Sequence, residues 1–302
     1  MDRRVPPGAW DTHFHIFEPD SFPYASDRHF TPAPATLEEF ERFKTSLGVE
    51  YVCVTHGLSY GSDCTSLLHY LHYFQGGASG ICVLDVETTT DDLLDTYHAA
   101  GVRSARLDFF KHEAMHDLDR QVALIESTAA RLTRWGKSRR WSIQIQQPHL
   151  ESWGRLRRLA STLAFPLVVD HLGLVPGKSI QRGGATPGNE SEGFAELLGA
   201  LRDGNLWIKL SAPYRCSDLK HTYDDLEGHV RSMTEANPER VLWGSDWPHT
   251  QRHSNRIGQD SGAVEYFQEV DNKAWIGSLG RWLSEDQWQR MWVSNPQQLY
   301  RS

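Results

Sequence analysis

The first residues in this chain that could carry out chemistry are two histidines near its start, His13 and His15, in the run Asp-Thr-His-Phe-His at 11–15. Side chains on a β-strand alternate between two faces, so a strand here would place both imidazoles and Asp11 on one face. Two such imidazoles can bind a divalent metal ion or act as acid and base groups beside a substrate. A chain with 15 histidines can also hold such a pair in its core or on its surface. The pair therefore needs partners elsewhere in the chain.

The elements that must position these residues alternate regularly along the chain. Eight short apolar runs are typical of strands, at residues 11–15, 51–55, 81–85, 102–107, 141–147, 166–171, 206–211 and 241–246. Between them, helical spacing of apolar residues predicts helices at about 36–47, 64–74, 90–100, 117–135, 150–162 and 192–201. Eight strand and helix units favour right-handed crossovers and a closed (β/α)8 TIM barrel, an α/β fold. An open doubly wound sheet comes second, because no Gly-x-Gly-x-x-Gly motif follows the first strand.

Composition and charge limit the class of protein. The 302 residues are 39% hydrophobic and 23% charged, which is typical of a globular chain, and one domain over residues 1–302 is expected. A net charge of -8 argues against binding to nucleic acid or to an anionic membrane through overall charge. A small molecule is therefore the expected partner, and the sequence leaves open whether the chain forms a homo-oligomer.

Cysteine usage and hydropathy bear on location. The four cysteines have no Cys-x-x-Cys spacing and resemble reduced core residues of an intracellular protein. No charged start precedes an apolar stretch, and no run approaches the roughly 20 apolar residues that cross a bilayer. These features predict a cytoplasmic protein.

Polar side chains recur where the predicted strands end, which is where a barrel of this kind has its active site. They are His13 and His15, Arg106 and Asp108, Gln144 and Gln146, Asp170 and His171, Lys209 and Ser211, and Asp246. Three histidines and an aspartate from strands one, six and eight can surround one point and leave room for a water molecule. Separately, Asp170 with His171 could form a helix cap, and Gly244 to Asp246 could form a turn. Together they predict a hydrolytic metal site of His13, His15, His171 and Asp246.

Loops after the strands are expected to carry substrate specificity. In the loop 56–63, Ser59 and Tyr60 are candidate substrate contacts, with Asp63 beside them. Residues 176–188 are either a lid or a surface insertion. The segment 249–256 offers Arg252, His253 and Arg256 to an anionic substrate or to solvent.

Five motifs resemble the amidohydrolase superfamily, in the branch of metal-dependent hydrolases that includes 2-pyrone-4,6-dicarboxylate lactonase and related sugar-lactone and muconolactone hydrolases. They are Asp-Thr-His-Phe-His-Ile-Phe at 11–17, Gly-Val-Arg-Ser-Ala-Arg at 101–106, Asp-His-Leu-Gly at 170–173, Lys-Leu-Ser-Ala-Pro-Tyr-Arg at 209–215 and Trp-Gly-Ser-Asp-Trp-Pro-His at 243–249. The resemblance spans nearly the whole chain. The first and last motifs are specific when found together.

The resemblance implies roles for these residues. His13, His15, His171 and Asp246 would line the reaction centre, with Asp246 as the base that activates water. Arg106 and Arg215 would hold a carboxylate or another oxygen of the substrate, and the alternative for either is a structural ion pair with an aspartate such as Asp108. One divalent metal ion is implied, with zinc as the expected identity and a metal-free site as the open alternative.

Two departures from the family narrow this expectation. Two-metal members bridge their metals with a carboxylated lysine or a glutamate on a middle strand, where this chain has Arg106 and Gln146. A binuclear centre is therefore not expected, and Gln146 becomes a candidate substrate contact. Lys111 and His112 stand where the pyrone dicarboxylate enzymes have a second carboxylate-binding arginine, so a substrate with two carboxylates is the less secure expectation.

The predicted function is opening of a lactone ring in a small carboxylated substrate by activated water. The alternatives are a mononuclear-metal decarboxylase of a small aromatic or unsaturated acid, and a catalytically silent homologue that binds a small acid. Gln146 is a weak metal ligand and a poor proton shuttle, which favours hydrolysis over decarboxylation.

Overall fold

A computed structural model describes residues 3–136, 141–180 and 187–301. Eight strands form one sheet in which each strand pairs in parallel with the next along the chain. The strands are β1 (Trp10–Phe14), β2 (Tyr51–Thr55), β3 (Ala78–Val83), β4 (Val102–Arg106), β5 (Ser142–Ile145), β6 (Leu167–Val169), β7 (Leu206–Leu210) and β8 (Val241–Trp243). The predicted (β/α)8 barrel is confirmed.

Helices connect consecutive strands and surround the sheet. The crossover helices are α1 (Leu37–Leu47), α2 (Thr65–Tyr73), α3 (Asp91–Ala100), α4 (Leu118–Trp135), α5 (Trp153–Ala160), α6 (Pro187–Arg202) and α7 (Glu227–Ala236). After β8 come α8 (Asn272–Trp282), α9 (Glu285–Gln289) and α10 (Asn295–Tyr300). Local signals set the ends: Thr36 and Glu39 form a capping box on α1, and Gly48 ends it in the left-handed conformation.

The barrel closes between β1 and the segment that follows β8. The Asp246 amide donates to the His13 carbonyl (2.8 Å), and the His15 amide donates to the Trp247 carbonyl (2.8 Å). A Cβ atom on Gly244 would lie 2.7 Å from the His13 Cβ, so only glycine allows this close approach. Closure therefore brings Asp246 directly beside the two histidines of the first strand.

The core has two layers, one between sheet and helices and one inside the barrel. Phe14 of β1 faces outward and stacks on Phe40 of α1 with ring centroids 3.7 Å apart. Inside, a second apolar cluster contains Cys53, Ile81, Val168, Trp207 and Leu242. Cys53, Val168 and Trp207 come two positions before Thr55, Asp170 and Lys209, so this cluster lies beneath the polar strand ends.

Several elements differ from prediction at their ends. The third strand begins and ends earlier than 81–85, because Ala78 already pairs with Val52 of β2 and the strand stops at Val83. The sixth and eighth strands stop at Val169 and Trp243, so His171 and Asp246 lie in turns just beyond them. In the segment between β1 and α1, Thr31–Pro32 pairs in parallel with Val264–Glu265.

Two further observations concern the cysteines and the helices. Cys53, Cys64, Cys82 and Cys216 are buried and are thiols, not members of disulfides. Across the described ranges, every helix is too short or too polar to span a membrane.

Candidate active site

Three imidazoles converge on one carboxylate oxygen at the carboxyl ends of the strands. The Nε2 atoms of His13, His15 and His171 lie 3.4, 3.7 and 3.9 Å from Oδ1 of Asp246. All four side chains are almost completely buried. The residues that the sequence placed on strands one, six and eight are therefore brought together.

The far side of each ring is held by a separate partner. Nδ1 of His15 lies 2.8 Å from the Thr55 carbonyl, which can only accept a hydrogen bond, so this nitrogen carries the proton. Nδ1 of His171 bonds the Ser211 hydroxyl (2.9 Å), and Nδ1 of His13 lies 3.2 Å from Oδ1 of Asp170. The Thr55 contact sets the tautomer of His15, and the Ser211 hydroxyl and the Asp170 carboxylate are compatible with the same tautomer at His171 and His13, which leaves each Nε2 lone pair aimed at Asp246.

This donor set fits a metal ion. His13 Nε2 and Asp246 Oδ1 are buried, and neither has a hydrogen-bond partner among the described residues. The ligand atoms of His13, His15 and Asp246 lie within 4.8 Å of one another. Lone pairs that face a carboxylate across a dry cluster repel one another unless a cation joins them. Three imidazoles and one carboxylate are ligands typical of zinc, and they are the residues that could hold it.

Burial sets the ionisation of this cluster. It lowers the pKa of His171 to about 4 and depresses the pKa of His13 and His15, so the rings are neutral and able to ligate near pH 7. Burial opposes ionisation of Asp246, but the neighbouring His171 and Arg215 outweigh it and hold its pKa well below the usual range. The centre therefore combines neutral donors with an ionised carboxylate.

The second oxygen of Asp246 has its own partners. Oδ2 accepts hydrogen bonds from the Tyr214 hydroxyl (2.5 Å) and from Nε and Nη2 of Arg215 (3.3 and 3.1 Å). Arg215 also donates to Thr250 and to the Gln251 carbonyl. Arg215 was predicted to hold substrate or to form an ion pair with an aspartate such as Asp108. In the structure it forms an ion pair, and its partner is Asp246.

The backbone at the centre is strained. Asp246, His171 and His249 have φ values of +59°, +54° and +74°, a region that residues with a Cβ seldom adopt. The Asp246 amide bond to His13 and a 2.7 Å bond from the His249 amide to the Asp246 carbonyl hold this conformation. Such strain is typical of functional sites, where surrounding structure imposes it.

A small cavity opens over the cluster. Its wall includes His15, His171, Asp246, Arg106, Arg215, Gln146, His253 and Arg256. Arg256 is paired with Glu265 through two short bonds (2.6 and 2.7 Å). Within the described part of the chain, Arg106 makes only a long 3.4 Å bond to the His56 carbonyl and lies 3.8 Å from Asp170. Arg106 is therefore the wall arginine with donors left for a ligand.

Comparison with known families decides the assignment. The family model described as Amidohydrolase matches residues 10–302. The chain belongs to the amidohydrolase family.

Among its relatives is the 4-sulfomuconolactone hydrolase of Hydrogenophaga intermedia, 29% identical over 98% of this chain and 89% of that protein. The 2-pyrone-4,6-dicarboxylate hydrolase of Comamonas testosteroni is also 29% identical, over 98% of this chain and 91% of that protein. A solved structure of a probable 2-pyrone-4,6-dicarboxylic acid hydrolase from Acinetobacter baumannii, with citric acid bound, shares the fold. It has a TM-score of 0.72 at 18% identity, and the match covers 97% of this chain and 99% of that one.

Two residues predicted to contact substrate in this amidohydrolase lie away from the cavity. The Ser59 hydroxyl is buried and donates to the Phe30 carbonyl (2.9 Å). The Tyr60 hydroxyl accepts from the Glu18 amide (2.9 Å), and its ring stacks on His56. The tight turn Leu58–Tyr60 is packed against the long loop 19–34, so it presents Gly57 and Leu58 to the cavity. The prediction for Ser59 and Tyr60 is therefore not supported by their positions.

The other loop predictions have separate outcomes. Gln146 lines the cavity, with its Oε1 atom 3.2 Å from Nε2 of His253. Arg252 donates to the Tyr214 and Ser217 carbonyls and pairs with Asp218. In the segment 176–188, residues 181–186 lie outside the described residues, so the choice between lid and insertion stays a prediction.

Sequence reasoning noted Asp170, Lys209 and Gln144 at strand ends but assigned them no role. All three are buried and lie inside the barrel beneath the histidines. The period-two pattern that selects His13 also selects Lys209 and Gln144 as inward-facing residues. Tyr214 and Thr250 were missed because each reaches Asp246 or Arg215 from a loop, where no periodicity applies.

Proposed function

We propose that this amidohydrolase opens the lactone ring of a small anionic substrate by attack of water, with Asp246 as the base. The observation that carries the proposal is the Asp246 Oδ1 atom, buried, without a hydrogen-bond partner among the described residues and ringed by three Nε2 atoms at the floor of a cavity. Relatives named as lactone hydrolases, aligned over 98% of the chain, support the same reaction class.

We infer that His13, His15, His171 and Asp246 hold one divalent ion, and that the ion is zinc. Neutral imidazoles and a carboxylate form a donor set that zinc prefers. When bound, zinc polarises a carbonyl and lowers the pKa of water.

Asp246 is held in the form that a base requires. Tyr214 and Arg215 bind its Oδ2 atom, which keeps Oδ1 directed at the cavity. We propose that Oδ1 takes a proton from water while the water oxygen bonds to the lactone carbonyl carbon. The ring C–O bond then breaks, and the leaving oxygen takes the proton back from Asp246, which yields one hydroxy acid and restores the carboxylate.

Arg106 is proposed to orient the substrate through one anionic group. Its fork suits the two oxygens of a carboxylate or sulfonate, and Gln146 and His253 lie on the same cavity wall. Arg215 is engaged by Asp246, Arg256 by Glu265, and the half-exposed Lys111 by Asp27 (3.0 Å). One anionic group close to the lactone ring is therefore proposed in preference to two.

The proposal is tested by a screen of lactones that carry one carboxylate or sulfonate, followed by acid release in weakly buffered solution. Ring opening is expected with the isolated protein, a large decrease after treatment with a chelator, and recovery on addition of zinc. Release of carbon dioxide in place of ring opening would contradict hydrolysis. Binding of the acids without turnover of any lactone would indicate a silent homologue. The cytoplasmic location and any homo-oligomer stay predictions.

A further inference from the structure

A buried lysine lies directly beneath the proposed metal ligands, and the proposed reaction does not use it. The side chain of Lys209 on β7 is fully buried inside the barrel. Its Nζ atom donates to the Thr12 carbonyl (2.8 Å) and to Oε1 of Gln144 (2.7 Å). Both partners are acceptors, so the amine meets them as a donor, and the Asp170 carboxylate 3.8 Å away favours its charged form. Lys209 does not line the cavity, which excludes it as a nucleophile or base toward substrate.

The charge opposite Lys209 is Asp170. Its Oδ1 atom lies 3.8 Å from Nζ and 3.2 Å from Nδ1 of His13, while Oδ2 accepts from Nε2 of Gln144 (3.1 Å). Nζ itself is 3.4 Å from Nδ1 of His13. Two opposite charges buried this close compensate each other, and removal of one leaves the other without a partner. His13 therefore faces Asp246 with Nε2 and the Lys209–Asp170 pair with Nδ1.

Without Lys209, the residues around Asp170 would resemble a second metal site. Two groups of ligand-type residues occur in the described ranges, and His13 belongs to both: one with His15 and Asp246, the other with Asp170 and His171. Nζ of Lys209 lies beside two members of the second group. A divalent ion placed there would face an ammonium at short range in a low-dielectric interior, where like charges repel strongly.

We propose that Lys209 is a built-in cation that takes the place of a second metal ion, limiting the site to one ion and holding Asp170 as the acceptor for His13. This inference rests on the metal site of the proposed function. It gives Lys209 and Asp170 positioning roles. Nδ1 of His13 faces a donor, Nζ of Lys209 at 3.4 Å, and an acceptor, Oδ1 of Asp170 at 3.2 Å, and only the acceptor can take up an Nδ1 proton. His13 then presents Nε2 as a lone pair, which is the form a ligand needs.

Titration of metal-free protein with Zn²⁺ alone, by calorimetry and metal analysis, tests the proposal. The wild type is expected to bind one zinc per chain. Asp170→Asn leaves the lysine charge unbalanced and removes the ionic acceptor, so affinity should fall by about 10- to 100-fold. Lys209→Met leaves Asp170 unbalanced, and a second equivalent of zinc should bind. The double variant should return to one zinc, with an affinity nearer to wild type than that of Asp170→Asn.

Two controls separate positioning from general damage to the core. Thr128→Val removes a buried hydroxyl that has no partner among the described residues and lies on α4, far from the site in sequence, and it should leave zinc binding unchanged. Nitrogen-15 spectra of metal-free wild type should show His13 as the Nδ1–H tautomer, a readout that needs no variant to fold.

Four results would overturn the proposal. They are one zinc at wild-type affinity in Lys209→Met, additive losses in the double variant, an Nε2–H tautomer at His13, and a wild type that binds no zinc. Lactone opening is measured separately and without added metal, so failure here stays distinguishable from failure of the hydrolase proposal.

Discussion

The two oxygens of Asp246 face different surroundings, and this asymmetry is the basis of its proposed role. Oδ2 is bound by Tyr214 and Arg215, whereas Oδ1 faces only the Nε2 atoms of three neutral histidines. Arg215 thereby stabilises the ionised carboxylate. An arginine predicted from its type to bind an anionic substrate is paired with the Asp246 carboxylate.

Asp246→Asn should remove the base while keeping the hydrogen bonds to Tyr214 and Arg215. We expect turnover on the lactone to fall by about 10²- to 10⁴-fold, the usual contribution of a general base. The measurement is kcat by acid release. Asp108→Asn is the control, because its Oδ1 atom only accepts from the Phe110 and Lys111 amides, which an asparagine can still do. Near-wild-type turnover in Asp246→Asn would rule out the assignment.

Arg106→Gln should chiefly weaken substrate binding. Loss of a charge-assisted fork costs about 1.5–3 kcal/mol, which corresponds to a rise in KM of about 10- to 150-fold with a smaller change in kcat. Arg256→Gln is the matched comparison, since that guanidinium lines the same cavity but is paired with Glu265. If the two variants raise KM equally, Arg106 is not the specific anion contact.

At the scale of elements, the seam between β1 and the end of β8 builds the centre. Asp11 joins the two sides, since its Oδ1 atom accepts from the amides of His13 and Ser245 (3.1 and 2.9 Å). Gly244 lies against His13 at the same level. The distance between the first-strand histidines and Asp246 therefore depends on how closely two backbones approach.

Gly244→Ala should displace His13, because the added methyl would meet its Cβ at 2.7 Å, and the adjacent contacts are backbone atoms that cannot rotate away. We expect a loss of about 1–3 kcal/mol in unfolding free energy, together with weaker zinc binding. Thermal melts and zinc titration measure the two effects. Gly228→Ala on α7 has open space around the new methyl and should be neutral or slightly stabilising. If the two variants have equal unfolding free energies and equal zinc affinities, the seam tolerates a wider spacing.

At the scale of the whole molecule, many histidines are buried in a neutral form. Burial lowers the pKa to about 3 for His56 and to about 4 for His29, His171 and His249. The unfolded chain binds protons at these positions near pH 6.5, whereas the folded chain does not until the pH is much lower. Folding is therefore opposed by acid, since the unfolded state binds more protons as the pH falls.

We expect unfolding free energy to be near its plateau above about pH 7 and to fall steadily from about pH 6.5 toward pH 4. Urea unfolding across this range measures the slope. His56→Gln should reduce the slope by about one proton, because His56 stacks on Tyr60 and approaches Cys64 without acting in the proposed reaction. An unchanged slope in this variant would show that His56 does not contribute to acid sensitivity.

Local pattern predicted most of the architecture. Alternating apolar runs and helical spacing are properties of contiguous residues, so the eight strands, their parallel order and most crossover helices could be read from the chain. The same periodicity placed His15, Arg106 and Gln146 in the wall of the cavity, and His13 on the same face of its strand as His15. Strand ends were less accurate, since where pairing stops depends on neighbouring strands, as at Val169 and Trp243.

Partner choice inside the barrel was decided only by the tertiary structure. Lys209 approaches His13 across 196 residues of sequence, and Arg215 binds Asp246 across 31. Residue type predicts that an arginine will find an anion, but not whether that anion is a substrate or a buried aspartate. That outcome depends on how closely separate strands approach when the barrel closes. The sequence by itself thus determined the fold and the four central residues, and closure of the barrel decided which charges are satisfied within the protein and which remain for a ligand.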